Sequence, residues 1–259
     1  MRVHVVSDVH GAAGELAGAA EGSDVFVCLG DLILFLDYAR PSRGIFADLF
    51  GEDHARRYIE LRTASRYDEA RELSAAAWKG IGVDEPGERW PVMQAMVRVQ
   101  YEELFDAMPS PALLTYGNVD IPSMWPQYVR DGQRVVDGEA IEVDGMRWGF
   151  VGGGLLSPMR TPFELTPEEY AAKVDALGPV DVLFSHLPPA RPELVYDRLA
   201  RRFEVGSEAL ARYVMDVQPR YHLFGHIHQP LAPRARLGRT ECINVGHFAG
   251  TGRPYVLDL

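Results

Sequence analysis

Cysteine is scarce in this chain. Cys28 and Cys242 are the two it has among 259 residues, too few and too far apart for a disulfide framework, so a reducing cytoplasm is expected. No run of 18 apolar residues occurs, and the opening MRVHVVSD passes into a strand pattern without the charged and apolar stretches of a leader. Neither a membrane span nor a membrane partner is therefore expected. Positive charge is short as well. Twenty-six Lys and Arg face 37 Asp and Glu, a net charge of −11 that opposes attraction to nucleic acid. A stripe alternating basic and aromatic residues is also missing, which disfavours a nuclease acting on long DNA. No internal repeat or low-complexity segment is present. The remaining composition, 47% hydrophobic and 24% charged, is that of a folded chain long enough to bury a large core.

What the sequence does have is a set of short apolar runs that end alike. Val3 to Val6 leads to Ser7-Asp8-Val9-His10-Gly11, and Val25 to Leu29 leads to Gly30-Asp31. Leu113 to Tyr116 leads to Gly117-Asn118-Val119-Asp120, Val180 to Phe184 to Ser185-His186-Leu187-Pro188-Pro189, and Tyr221 to Phe224 to Gly225-His226-Ile227-His228. Five strand-like runs thus end in Asp, Asn or His, usually beside glycine. Open α/β sheets gather their sites beyond the carboxyl ends of strands, which predicts an α/β fold with these loops converging. Helix signals lie between the runs. Thr166-Pro167-Glu168-Glu169 reads as a capping box opening a helix toward Leu177, and Ser207 caps another through about Val217. The tail, Glu241 to Gly246 and Tyr255 to Leu259, reads as a hairpin.

Between Asp31 and Leu113 the strand pattern stops. His54 to Trp78 and Val92 to Met108 have helical composition and spacing, with Pro86, Gly87 and Pro91 between them. A structureless loop of such length is improbable, so a helical insertion at about 38–110 is expected. It follows the strand end carrying Asp31, which suggests a wall or lid that selects substrate, and a surface for homo-oligomers. Arg56, Arg57, Arg62, Arg66 and Arg71 alternate there with acidic residues, as on a solvated helix face.

The strand ends collect Asp8, His10, Asp31, Asn118, His186, His226 and His228: four imidazoles, two carboxylates, one amide and no thiolate. Mixed nitrogen and oxygen donors suit Mn, Fe, Zn or a related divalent ion rather than a structural cysteine-type zinc. Seven donors are too many for one tetrahedral ion and suit two ions sharing a carboxylate. In an extended strand Asp8 and His10 would project to one side, as would His226 and His228.

The succession D-x-H-G, G-D, G-N-x-D, H-x-P-P and G-H-x-H, reaching from Asp8 to His228 and on to Asn244-Val245-Gly246, resembles the calcineurin-like metallophosphoesterases. The resemblance implies a four-layer α/β/β/α sandwich and a hydrolase of small phosphoester substrates. It implies two divalent ions, Mn or Fe first and Zn or Ni next. One ion would take Asp8, His10, Asp31 and His228. The other would take Asp31, Asn118, His186 and His226, with Asp31 bridging and Asp31, Asn118 and His186 acting through a metal-bound hydroxide.

That family usually reads G-N-H-D, its His protonating the leaving oxygen, and this chain has Val119 in that place. Proton donation is worth about 10²–10⁴-fold, so its loss favours a phosphodiesterase over a general monoesterase. His247, where the family often has a small residue, is the candidate replacement acid. The alternative is a scaffold that keeps the fold without the chemistry, against which all seven ligand positions hold competent side chains. His4 and His222, inside strands, read as packed residues. Asp120 reads as a brace for the turn of Asn118, and Gly152-Gly153-Gly154 as a tight turn.

Overall fold

Apolar and β-branched runs build two mixed sheets. The computed structural model describes residues 1–198 and 200–259. In the first sheet β1 (Arg2–Val6), β2 (Val25–Cys28), β3 (Ala112–Leu114) and β4 (Gln133–Val135) run parallel in that order, with β15 (Tyr255–Asp258) antiparallel against β1. In the second, β6 (Met146–Val151), β9 (Val182–Ser185), β12 (Tyr221–Phe224) and β14 (Thr240–Asn244) are parallel neighbours. Antiparallel β5 (Glu139–Val143) and β13 (Arg234–Leu237) close its two edges. Two short pairs complete the strands among the described residues: β7 (Gly154–Leu155) with β8 (Glu164–Leu165), and β10 (Tyr196–Asp197) with β11 (Arg202–Phe203). Single-turn helices α1 (Ala13–Leu16) and α7 (Pro192–Val195) follow β1 and β9.

The alternation of each strand decides what it buries. Val3, Val5, Val27 and Leu29 share one apolar core with Trp148, Phe150, Val182, Phe184 and Leu223, so the two sheets meet through these side chains. Val151, Leu183, Phe224 and Cys242 belong to a second cluster. There they meet Tyr170 and Val174 of α6 (Pro167–Asp175) and Leu210, Tyr213 and Val214 of α8 (Glu208–Val217). Each of these large side chains contributes about 1.5–3 kcal/mol by leaving water. The expected caps are formed. Thr166 and Glu169 make a reciprocal capping box on α6, and Ser207 Oγ accepts from the Leu210 N–H at the start of α8. The fold is therefore mixed α/β, and among the described residues no helix is long and apolar enough to cross a membrane.

The expected terminal hairpin does not form. β14 lies in the second sheet and β15 in the first, because α9 (Phe248–Thr251) carries the chain from one to the other. The glycines near 250 serve that crossing rather than a two-strand turn.

The helical segment expected at about 38–110 is a compact unit over residues 33–103. It contains α2 (Ile45–Phe50), α3 (Glu52–Thr63), α4 (Tyr67–Gly80) and most of α5 (Pro86–Ala107). The run from His54 to Trp78 is two helices, broken where Ser65 turns left-handed at φ 57° and Arg66 N–H bonds back to the Leu61 carbonyl. Conversely, Pro86 and Pro91 do not separate helices. Both lie in the opening of α5, where Pro86 occupies the first position and needs no backbone donor. Phe46 anchors the unit, its ring 4.4 Å from Tyr58 and 4.8 Å from Phe50, and Phe50 meets Trp78 at 5.0 Å. The Gln100 amide takes both backbone groups of Leu34, at 2.7 and 3.1 Å. The arginines pair along their helices as expected: Arg56 with Glu52 and Asp53, Arg57 with Glu60, Arg66 with Glu69, and Arg71 with Asp68.

His4 and His222 are buried in β1 and β12. Ser185 Oγ donates to the Leu187 carbonyl at 2.6 Å, so the 2.7 Å contact with His222 Nε2 requires the ring to donate. His222 Nδ1 is buried without a hydrogen-bond partner, and burial pushes the ring's pKa down to about 3. A depressed folded pKa means that the unfolded chain binds the extra proton, so stability is lost as pH falls from about 6.5 toward 3. His222→Phe removes this penalty. The stability difference, wild type minus variant, should fall by about 2 kcal/mol between pH 7 and pH 5, as read by urea unfolding. A constant difference would mean that the buried ring is not held neutral.

Candidate metal centre

The seven candidate ligands all lie at the carboxyl ends of the parallel strands, in loops that hydrogen-bond one another. Asp8 N–H donates to the Gly30 carbonyl at 3.0 Å, His10 N–H to Asp31 at 2.9 Å, and Gly11 N–H to Leu32 at 2.8 Å. Phe248 and Ala249, at the start of α9, donate to the carbonyls of Ser7 and Asp8, and Gly225 N–H donates to that of His186. Asn244 reaches the 225–227 turn, its Nδ2 donating to the carbonyls of Gly225 and Ile227.

Four of the seven do not sit in extended backbone. Asp8, His10, Asp31 and His226 are left-handed, with φ of 57°, 39°, 54° and 66°. The period-two reasoning for Asp8 with His10 and for His226 with His228 therefore fails: turns, not strand alternation, aim these side chains. A left-handed residue other than glycine costs on the order of 1–3 kcal/mol and persists only where its surroundings hold it. Here the cross-loop hydrogen bonds do so.

Asp120 braces the centre from beneath. Its carboxylate accepts from the N–H groups of Asp31 (2.8 Å), Leu32 (3.0 Å) and Gly117 (2.8 Å), joining two strand ends with one side chain. Gly117 is required by contact, since a Cβ there would run into the Asp31 carboxylate. Val119 has no side-chain proton to offer and gives its backbone N–H to Asp31 Oδ1 at 2.9 Å.

The donor atoms form two groups around one carboxylate. In the first, His10 Nε2 stands 3.4 Å from His228 Nε2 and 3.9 Å from both Asp8 Oδ1 and Asp31 Oδ2. Asp8 Oδ1 is buried and receives no hydrogen bond, although His228 Nε2 is 3.3 Å away. In the second, His186 Nε2 is 3.5 Å from the same Asp31 Oδ2 and 3.0 Å from Asn118 Oδ1, and the His226 ring lies 5.2 Å from that of His186. Donors about 2.0–2.2 Å from one ion stand roughly 3–3.5 Å apart, close to these separations. His186 Nδ1 meets the Leu29 carbonyl at 3.0 Å, which leaves Nε2 for a ligand. The donors of Asp8, His10 and Asp31 lie close enough together to hold a metal ion, as do those of His10, His228 and His247, and Asp8 brings an orphaned carboxylate oxygen.

With no cation present, the carboxylates and imidazoles of the centre set one another's charge. Burial favours the neutral acids, yet the imidazoles of His228, His186 and His10 hold the Asp8 carboxyl well below its usual range, and His186 and His10 lower that of Asp31. His186 is buried too, but the Asp31 carboxylate raises its pKa to about 9. Burial and the charge of His186 take His226 down to about 4. Asp120 goes up to about 7 through burial and the charge of Asp31. The two thiols play no part, since both are buried and burial pushes each up to about 12.

His247 stacks on His228 with ring centres 4.0 Å apart and lies 5.7 Å from His10, at the rim of the first group. The tight turn expected at Gly152 to Gly154 is instead a short link from β6 into β7, which Gly154 opens, and contact explains the glycines: a Cβ on Gly152 would meet the Tyr116 backbone and one on Gly154 would meet Asn118. Sequence reasoning missed Thr161, which accepts from the Asn118 amide, Glu164 at the start of β8, which accepts from Thr161, and Asp197, whose carboxylate accepts from Gln229 N–H beside His228.

No family model and no curated protein matches the chain. Among solved structures, one matches with a TM-score of 0.55 at 14% identity, over 95% of this chain and 91% of its own. The crystal structure of TT1561 of Thermus thermophilus matches with a TM-score of 0.51 at 14% identity, over 99% and 98%. At that identity the likeness is one of fold.

Proposed function

We propose that this chain is a metal-dependent phosphoester hydrolase, acting on diesters in preference to monoesters, built as a four-layer α/β/β/α sandwich of the calcineurin-like metallophosphoesterase kind. The observation that carries the reading is the position of Asp31 Oδ2, which lies 3.9 Å from His10 Nε2 and 3.5 Å from His186 Nε2. A single carboxylate oxygen between two ligand groups is what two ions sharing a bridge require.

Asp8, His10 and His228 with Asp31 would hold one ion, and Asn118, His186 and His226 with Asp31 the other. When bound, two divalent ions supply a water ionised near neutral pH and positive charge for the phosphoryl oxygens. The protein fixes where these act. Asp120 and the Val119 N–H hold Asp31 in place, and the Leu29 carbonyl orients His186. Valine at 119 has no proton to give, so the leaving oxygen departs without help from that position. Substrates with acidic leaving groups need such help least.

Metal analysis of protein prepared without chelator should find two divalent ions per chain. Bis(p-nitrophenyl) phosphate hydrolysis should depend on them and disappear after chelation, returning with Mn²⁺. A single tetrahedral ion, or turnover indifferent to metal, would overturn the reading.

A further inference from the structure

An asparagine amide can bind a cation only if its oxygen, not its nitrogen, faces the ion, and the two ends are nearly equal in size. We propose that Thr161 is a positioning residue that locks Asn118 with Oδ1 toward the His186 group; this rests on the metal-centre reading above. Hydrogen counting carries the inference. Glu164 Oε1 accepts from Ser157 Oγ at 2.6 Å, from Thr161 N–H at 2.9 Å and from Thr161 Oγ1 at 2.8 Å. Its other oxygen accepts from Ser157 N–H at 3.0 Å. The one hydroxyl hydrogen of Thr161 is therefore committed to Glu164. What Thr161 Oγ1 presents to Asn118, 3.1 Å away, is a lone pair, and that lone pair must meet Nδ2–H. A flipped amide would set two oxygens against each other with no hydrogen between them.

The loop holding this relay is fastened to the turn it controls. Phe163 N–H donates to the Asn118 carbonyl at 2.9 Å, and Gly154 N–H donates to the Phe163 carbonyl at 2.9 Å. Orientation thus passes from Glu164 through Thr161 to Asn118, whose Oδ1 ends 3.0 Å from His186 Nε2. Partners of this kind behind a metal ligand are typically worth about 10- to 100-fold in affinity.

Thr161→Val keeps the shape and removes the acceptor, while Thr161→Ser keeps the acceptor. Calorimetric titration with Mn²⁺ should show one of two ions weakened about 10- to 100-fold in Thr161→Val and restored in Thr161→Ser. A second measurement needs no metal. In metal-free ¹⁵N-labelled protein the Asn118 side-chain amide hydrogens should be protected from exchange, less so in Thr161→Val, and again protected in Thr161→Ser. Wild-type affinity for both ions in Thr161→Val, equal weakening in both variants, or an unprotected Asn118 amide in the native chain would each overturn the proposal. If no ion bound at all, the metal reading would fall, and the amide measurement would still decide whether Thr161 holds Asn118.

Discussion

Replacing Asp31 by Asn is expected to leave at most one divalent ion on the chain and to lower diester hydrolysis by about 10³-fold or more. The amide keeps the volume of the carboxylate, tolerates the left-handed backbone at φ 54°, and can still accept from the Val119 N–H. What it loses is the charge that faces both ligand groups. Asp31→Ala is the harsher change. It also strands the Val119 donor and places alanine in a left-handed turn, so part of its effect would be lost stability. His4→Gln is the control, because His4 bonds the Ala19 carbonyl at 2.9 Å and belongs to neither ligand group. Elemental analysis and initial rates on the three proteins decide the matter. Two ions and full turnover in Asp31→Asn would end the bridging assignment.

The second large effect concerns the leaving group. With valine at 119, rates should fall steeply as the leaving-group pKa rises, and p-nitrophenyl diesters should be cleaved far better than alkyl monoesters. Val119→His restores a proton donor where the backbone already has its anchor, the N–H bonded to Asp31 Oδ1. It should raise turnover of monoesters with poor leaving groups, toward the lower end of the roughly 10²–10⁴-fold that such donation supplies. Rates across a series of aryl and alkyl esters, in both proteins, measure the slope. A flat dependence in the natural chain would show that another acid already serves, and His247, stacked on His228 at the rim, would be the first to replace.

What the sequence made legible was identity, not aim. Asp8, His10, Asp31, Asn118, His186, His226 and His228 could be picked out because each ends an apolar run, and strand ends in open sheets converge. How they point could not be read, since the left-handed turns at Asp8, His10, Asp31 and His226 follow from hydrogen bonds between distant loops. Caps were readable at Thr166 and Ser207 because a cap is local. The terminal hairpin was misread because a pair of strands with a glycine-bearing link looks the same whether it closes on itself or crosses to another sheet. Thr161 and Glu164 left no signal at all: their role depends on one hydroxyl hydrogen and where it is spent.

The Val119 contact to Asp31 is made by main chain, and this separates inheritance from chemistry. Every amino acid but proline brings the same N–H to that position, so the Asp31 carboxylate keeps its anchor whichever side chain stands there. Position 119 is then a socket whose side chain can be exchanged without touching the hydrogen bond that holds the centre beneath it.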